Sequence, residues 1–381
     1  GGHNAAVGEH RPRRRTPLRV HVETGAWPDP PPEDLERLAT VLQGVAGHGA
    51  GGSGAGGDGA HGGGDAECGV VLLDGLVGSA APEVVLACAA LRPTAILVHS
   101  LLSDGASASG ERAREMDERE GRALAAAHAV IVTSDWAARE VGRRYGLPAS
   151  AAPPGVEPSP VAPGSGDTPQ LLTLASLTPV KNHALLLAAL ETVAHHRWAA
   201  VFAGPAPNPD LASALRADAL RRGLADRITW PGPLLGQELD RTWSATDLLV
   251  HPSRSETFGL VVSEAHARGI PTIVGAGTGA EQTLRGGQLR GGLQGDGRDR
   301  TGPLPGGGPD SATALPGAAV DTEDTAELGR TLSQWLTDAW LRAEWRRAAL
   351  RRRDELRGWD HTVDLLADAL DAITDTPQQW R

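Results

Sequence analysis

Two glutamates, Glu256 and Glu264, stand eight positions apart in the segment 247–272, DLLVHPSRSETFGLVVSEAHARGIPT. Eight residues at helical rise span about 12 Å, roughly the reach from a sugar ring, past a diphosphate, to a ribose. Between them the pattern places a helix start. Positions 248–250 form a short apolar run, as in a buried strand. Positions 251–255 are polar and turn-prone, and they include Arg254. Thr257 reads as an N-cap, followed by helical periodicity over 258–268 that Gly269 and Pro271 close. Unpaired N–H groups and the positive dipole end of such a helix make an anion site. A second group fits an anion as well. Of 36 Lys and Arg residues, Lys181 alone is a lysine. In so Arg-rich a chain, a single compact ammonium in a loop is a site candidate rather than compositional drift. His99 ends an apolar run, and open α/β sheets bind ligands at the carboxyl ends of their strands. Asp104 and Glu111 are weaker candidates in the same region.

These residues need a scaffold, and the periodicities supply one. Strand-like runs fall at 18–23, 70–73, 95–98 and 130–133, with helical patterns at 32–46, 82–91, 111–127 and from Ser134 to 145 between and around them. A Pro/Gly/Ser-rich stretch, 153–169, reads as an interdomain linker. Then the alternation resumes: strands at 171–174, 198–202, 228–230, 248–250 and 272–274, with helices at 184–194, 210–222, 237–245, 323–336, 339–353 and 359–373. Strand–helix alternation on this scale implies parallel, doubly wound sheets. Two glycine-rich stretches, 47–64 and 286–311, read as surface loops.

Composition narrows the function classes. A chain of 381 residues has room for two full cores. A net charge of -11 argues against broad nucleic-acid binding. No stretch of 18 apolar residues and no signal peptide is visible. Cys68 and Cys88 lie in apolar segments and read as buried free thiols, which fits a reducing cytoplasm. The run Arg11, Arg13, Arg14, Arg15 is read chiefly as a solvated arm, with weak peripheral contact to anionic lipid or an acidic acceptor as the alternative.

The segment around Glu256 resembles the E-x7-E motif of retaining glycosyltransferases with the GT-B fold, family 4 (group 1) in particular. The strand–P-S-R-x-E-x-F-G–helix–G-x-P context carries the resemblance further than the two glutamates alone. Its implications are specific. Glu256 would face the donor sugar, Phe258, Gly259 and Leu260 would offer backbone amides to sugar and pyrophosphate, and Glu264 would hold the nucleotide ribose. The stretch 275–281 resembles the family loop that ends in a glutamate near the donor, here Glu281. Lys181 would meet the pyrophosphate. The family's usual G-R-L-x-x-x-K pattern is broken, because Ser176 stands where the Arg belongs, and Arg254 or an Arg of the first domain would have to compensate. His99 would lie near the donor sugar and the acceptor hydroxyl. Gly1 and Gly2 would form the Gly-rich turn facing the cleft.

The resemblance therefore implies a GT-B fold, with two Rossmann-like domains facing across a cleft. They would comprise an acceptor-side domain, 1–157, and a nucleotide-sugar donor domain, 158–358. A crossover helix and tail, 359–381, would return to the first domain. It also implies metal-independent, retaining transfer of a hexose from a nucleotide diphosphate sugar to a hydroxyl acceptor, with no cofactor. The leaving diphosphate would itself take the acceptor proton. No D-x-D pair is present to hold a metal. Two rivals remain open on sequence grounds: a nucleotide-sugar epimerase of the same fold, and a catalytically silent sugar-nucleotide-binding module. By family analogy 18–23 is the second strand and the first is missing, so 1–157 is expected to be less stable than the second domain.

Overall fold

The computed structural model describes residues 20–22, 27–47, 69–105, 110–287 and 314–374. The first half runs α1 (Pro32–Gly47), β1 (Val71–Asp74), α2 (Gly75–Ala80), α3 (Pro82–Ala89), β2 (Thr94–Val98), α4 (Leu102–Gly105), α5 (Glu111–Ala126), β3 (Ala129–Val132), α6 (Asp135–Tyr145) and β4 (Ser150–Ala151). The second half runs β5 (Gln170–Leu174), α7 (His183–Thr192), β6 (Ala199–Ala203), α8 (Pro209–Arg221), β7 (Ile228–Gly232), α9 (Gly236–Ser244) and β8 (Leu248–His251). It continues through α10 (Leu260–Ala267), β9 (Thr272–Gly275), α11 (Gly279–Leu284), β10 (Gly317–Val320), α12 (Thr325–Thr337) and α13 (Ala339–Glu355), and α14 (Trp359–Thr374) follows.

All described strand pairs are parallel. The first sheet has the order β1-β2-β3-β4. The second has the order β10-β9-β8-β5-β6-β7. The second chain path therefore builds outward from β5 through β6 to β7, then returns to the other side of β5 and builds outward again. The order reverses between β5 and β8, and that point opens a crevice at the carboxyl ends of the two strands. Strand β8, Leu-Leu-Val-His, is buried at every position, as a central parallel strand with helices on both faces must be.

Each core follows from the apolar faces of its helices. Helix α7 is Ala- and Leu-rich, a composition with little rotamer entropy to lose. Its Leu186, Leu187 and Leu190 pack in one cluster with Phe202 of β6 and Leu328, Leu332 and Trp335 of α12. In the first half, Ser134 caps α6 by accepting from the Ala137 N–H at 3.0 Å, and Gly146 closes the helix with φ 68°.

Helix α14 crosses to the first half, as the resemblance implied. Its Leu365, Leu366, Ala369, Leu370 and Ile373 pack with Ala95, Ile131 and Ala152 of the first sheet. The linker crosses the start of α14 at Gly155, where a Cβ would lie 2.3 Å from the Trp359 nitrogen. Only a glycine permits that approach. Val156 N–H donates to the Arg357 carbonyl at 3.0 Å, and Thr362 Oγ1 donates to the Pro153 carbonyl at 2.7 Å, pinning the crossing.

The structure corrects several sequence expectations. Of the strand expected at 18–23, residues 20–22 are irregular and Val20 and Val22 are exposed; alternation in a segment with no sheet partner does not make a strand. The short strand β4, which pairs with β3, lies just before the expected linker and was not foreseen. Helices α2, α4 and α11 and strand β10 were not foreseen, because each is six residues or fewer and too short to show a period. The Gly1–Gly2 turn, Arg11 to Arg15, Cys68 and most of both glycine-rich stretches lie outside the described residues. Cys88 is a buried free thiol. Among the described residues, no helix is long and apolar enough to cross a membrane.

Candidate functional site

The loops that leave β5 and β8 converge at the order reversal, and they carry the lysine and the first glutamate. Lys181 ends a 3-10 turn, Pro179–Lys181, and the next residue, Asn182, takes the left-handed conformation with φ 58°. Asparagine tolerates that region better than most side chains. The Asn182 amide also repays it: Nδ2 donates to the carbonyls of Pro252 at 3.2 Å and Thr322 at 2.8 Å. Arg254 N–H donates to the Val180 carbonyl at 2.8 Å, so the two loops are stitched through the backbone too.

The result is a compact charge cluster. Lys181 Nζ lies 2.5 Å from Glu256 Oε1, and His251 Nε2 lies 2.6 Å from the same oxygen. Ser253 Oγ is 3.2 Å from His251 Nε2. A carboxylate only accepts, so His251 Nε2 carries the proton. Burial alone would push the Glu256 carboxyl up, but His251 and Lys181 outweigh it and hold the group well below the usual carboxylate range. The Glu256 side chain is 13% exposed. Among the described residues, the other carboxylate oxygen, Oε2, has no hydrogen-bond partner. His183 packs behind the pair against Phe202, with both ring nitrogens unpartnered. Burial first, then the nearby His251 and Lys181, push its pKa down to about 4.

Thr257 is not the N-cap that its type suggests. Helix α10 begins at Leu260, and Gly259 is its cap, at φ 80°. A Cβ on Gly259 would sit 2.9 Å from the Ala280 Cβ, so both conformation and space demand glycine. Thr257 Oγ1 instead donates to the His99 carbonyl at 2.5 Å, across the two halves. The N–H groups of Phe258 and Gly259 donate to nothing among the described residues. Together with the start of α10 they leave unpaired N–H donors beside Glu256, the kind of edge that suits an anion. Leu260 is 36% exposed there. Glu264 lies one turn into α10, half-buried, with no partner for its carboxyl among the described residues. Burial pushes its pKa up, partly countered by Arg268.

The remaining sequence candidates divide. Ser176 is half-buried in the loop after β5, near Lys181 in sequence, and Ser176 O accepts from Thr178 N–H at 2.8 Å. Arg254 is engaged elsewhere: its Nε donates to Glu323 at 2.8 Å and Nη1 to the Pro179 carbonyl at 3.2 Å. Glu281 is also committed, accepting from the Gly277 N–H at 2.7 Å and from Arg285 Nε at 2.9 Å. Helix α11 nevertheless reaches the site, since Gly279 N–H donates to the Glu256 carbonyl at 2.7 Å.

The first half closes over this loop. His99 stands at the end of β2 with its side chain 41% exposed and Nδ1 3.4 Å from Asp74. Ser255 Oγ donates to Asp104 Oδ2 at 2.5 Å, and Arg144 grips the same carboxylate at 2.7 Å. Ser134 Oγ donates to the Thr257 carbonyl. Trp136 N–H donates to Gln282 at 2.6 Å, and its indole Nε1 donates to the Gly277 carbonyl at 2.9 Å. Glu111, at the start of α5, is exposed. Sequence reasoning missed His251, Ser253, Asn182 and Asp104's partner Ser255. The local signals were present, as His-Pro-Ser before the glutamate and Asn after the lysine; the partners of Asn182 and Ser255 lie 70 or more positions away, while His251 meets Glu256 only five positions on. Among the described residues, no group of three or more His, Cys, Asp or Glu is placed to hold a metal ion.

The chain resembles sucrose-phosphate synthase from Thermosynechococcus elongatus, with a TM-score of 0.66 at 19% identity over 91% of this chain and 80% of that one. It resembles Anabaena HepE, solved with UDP and glucose, with a TM-score of 0.64 at 17% identity over 88% of this chain and 81% of that one. Among curated proteins, a GDP-mannose-dependent alpha-(1-6)-phosphatidylinositol monomannoside mannosyltransferase of Mycobacterium tuberculosis is 28% identical over 231 residues, 55% of each chain. A D-inositol 3-phosphate glycosyltransferase of Xylanimonas cellulosilytica is 28% identical over 185 residues, 43% of this chain and 44% of that protein. The chain spans about half the length of these curated relatives. The fold is GT-B, and residues 159–295, which hold Lys181, Glu256, Glu264 and Glu281, match the family model of the glycosyl transferases group 1.

Proposed function

We propose that the protein is a retaining glycosyltransferase of family 4 type, moving a hexose from a nucleoside diphosphate sugar to a hydroxyl acceptor. The observation that carries this reading is the placement of Glu256, Lys181 and the unpaired amides of Phe258 and Gly259 at the order reversal of the second sheet. The donor diphosphate lies against these amides and takes Lys181 as its counter-charge. Glu256 receives the sugar hydroxyls. Glu264, half-buried and unpartnered, accepts from the two ribose hydroxyls. His99 and the loop after β2 line the acceptor side, and residues 1–157 and 158–358 form the two working domains.

Ser176 in place of the family arginine makes Lys181 the main side-chain cation for the leaving diphosphate, since Arg254 is held by Glu323. The same departure supports the second reading, a module that binds nucleotide sugar without transferring it. In the transfer reaction the bond from anomeric carbon to diphosphate oxygen breaks, and a bond to the acceptor oxygen forms on the same face. The acceptor proton passes to the departing diphosphate, so no protein base is required.

The relatives' names suggest donors and an acceptor class to try: UDP-glucose, UDP-N-acetylglucosamine and GDP-mannose, with an inositol-bearing acceptor. A thermal-shift screen of these donors, followed by an assay of nucleoside diphosphate release, tests the reading. Stabilisation by one donor together with acceptor-dependent release is expected. Stabilisation without release supports the silent module. No stabilisation by any donor overturns the reading.

A further inference from the structure

Lys181 Nζ lies 2.5 Å from Glu256, so a donor diphosphate competes with that carboxylate for the same ammonium. If the donor draws Lys181 away, Glu256 keeps its charge and orientation only if a second protein group holds it. His251 is placed to do so. It ends β8, the strand beside the order reversal, and is 2% exposed. Its Nε2 donates to Glu256 Oε1, and its Nδ1 is buried without a partner. The ring therefore has no polar attachment to the scaffold behind it, because both of its side-chain contacts, Glu256 and Ser253, lie in the site. Asymmetry within the carboxylate points the same way. Both donors meet Oε1, and Oε2 is left without a partner among the described residues. His183, next to His251, stays neutral and so does not compete as a cation.

We propose that His251 is the positioning residue of Glu256. Its Nε2–H fixes Oε1 while Lys181 moves to the diphosphate, so Oε2 remains a preset acceptor for the sugar. This rests on the donor-site reading above, and it assigns His251 no contact with substrate.

The test compares His251→Leu, which removes the donor, with His251→Gln, whose amide can replace Nε2–H. Turnover, the Kd for UDP and GDP, and melting temperature are measured for both and for the wild type. His251→Leu is expected to lower kcat by about a hundredfold, the scale of a misplaced catalytic group, with the nucleoside diphosphate Kd unchanged. His251→Gln is expected to restore turnover to within about tenfold of wild type. Wild-type kcat in the Leu variant overturns the proposal. So does a Gln variant no better than Leu, or a loss confined to KM. The imidazole ¹⁵N spectrum gives a readout independent of turnover. In the nucleotide-free protein His251 is expected as the Nε2–H tautomer, and its Nε2 resonance should shift in Glu256→Gln. A wild type inactive with every donor would sink the donor-site reading alone. An unchanged Nε2 resonance in Glu256→Gln would sink the positioning role alone.

Discussion

The two halves share an architecture but present different edges to the cleft. In the second half the strand order reverses between β5 and β8, and the loops at that point hold Lys181, His251 and Glu256 in a mutually compensated, largely buried cluster. In the first half the described strands run in simple order, and the cleft edge offers His99, half in solvent. Its fully buried Glu120 is engaged inside that half, and half-buried Arg144 is spent on Asp104. Glu120 accepts from the Leu102 N–H at 3.1 Å and from Tyr145 at 2.8 Å, and so braces the loop after β2. The difference teaches that charge does its strongest work where water is excluded and partners are fixed. On the proposed reading, the second half acts on a charged donor and the first holds a surface against it.

The sharpest way to break this contrast is Glu256→Gln. Removing the charge should cut turnover roughly a thousandfold, while the Kd for nucleoside diphosphate stays close to wild type. Steady-state kinetics beside calorimetry would decide, and an equal loss in both would contradict the division of roles between Glu256 and Glu264. Lys181→Ala should come next, with turnover down about a hundredfold and diphosphate binding weakened as well. Lys181→Arg should rescue only in part, since a planar fork replaces a point charge poorly in a tight loop. Full activity in the Ala variant would remove the lysine from the site.

Glu264→Ala should weaken nucleoside diphosphate binding by about 1.5–3 kcal/mol, the worth of hydrogen bonds to a charged group. Titration calorimetry at pH 7 measures it directly, and an unchanged Kd would refute the ribose contact.

The halves should also differ in the sign of their pH dependence. Burial holds His183 at about 4 and His266 at about 3, below the unfolded value of 6.5. From pH 6.5 down to about 4 the unfolded chain binds protons that the folded second half refuses. Stability there should fall by about 1.4 kcal/mol per pH unit for each imidazole. Below 4.5 the depressed Glu256 adds to the same slope. In the first half, burial raises the Glu120 carboxyl, so the folded state binds the proton more tightly and its contribution falls as pH rises above 4.5. Half-solvated Glu264 adds a weaker opposing slope in the second half. Denaturant midpoints across pH 4–7 for wild type and His183→Phe would test this. A Phe variant with an unflattened slope would count against it.

The smallest effect belongs to the first half. Ser134→Ala removes the α6 cap and the contact with the Thr257 carbonyl, and should cost about 1 kcal/mol of stability. Nucleoside diphosphate affinity should not change, and a loss of affinity would show that the first half also shapes the donor pocket.

Much of the site was legible because its signals are local. Glu256 and Glu264 could be found from their spacing and Lys181 from its isolation among arginines, whereas Gly259 was read inside the helical period. Positions 248–250 of β8 were visible as an apolar run, since parallel central strands are buried on both faces, but His251, which ends the strand, was read as loop. Short elements such as α11 and β10 were not legible, because six residues or fewer carry too little periodicity to separate from a loop. The cap of α10 was misread for a related reason. Thr257 has the right type, but its hydroxyl finds a better acceptor in the His99 carbonyl, 158 positions away in the chain.

The sequence by itself determined the kind of fold and the inventory of charges. Hydrophobic period marks most of the longer strands and helices, and their alternation implies parallel sheets. Tertiary structure alone decided which charges meet. Lys181 and Glu256 are 75 positions apart in the chain, and only the reversal of strand order between β5 and β8 sets their loops side by side. It also decided their states: the same residue type is held deprotonated at Glu256, by two donors on one oxygen, and pushed toward the neutral form at Glu264, by burial without a partner. Residue type sets what a side chain can do, but desolvation and partners are properties of position in space, and these set what it does.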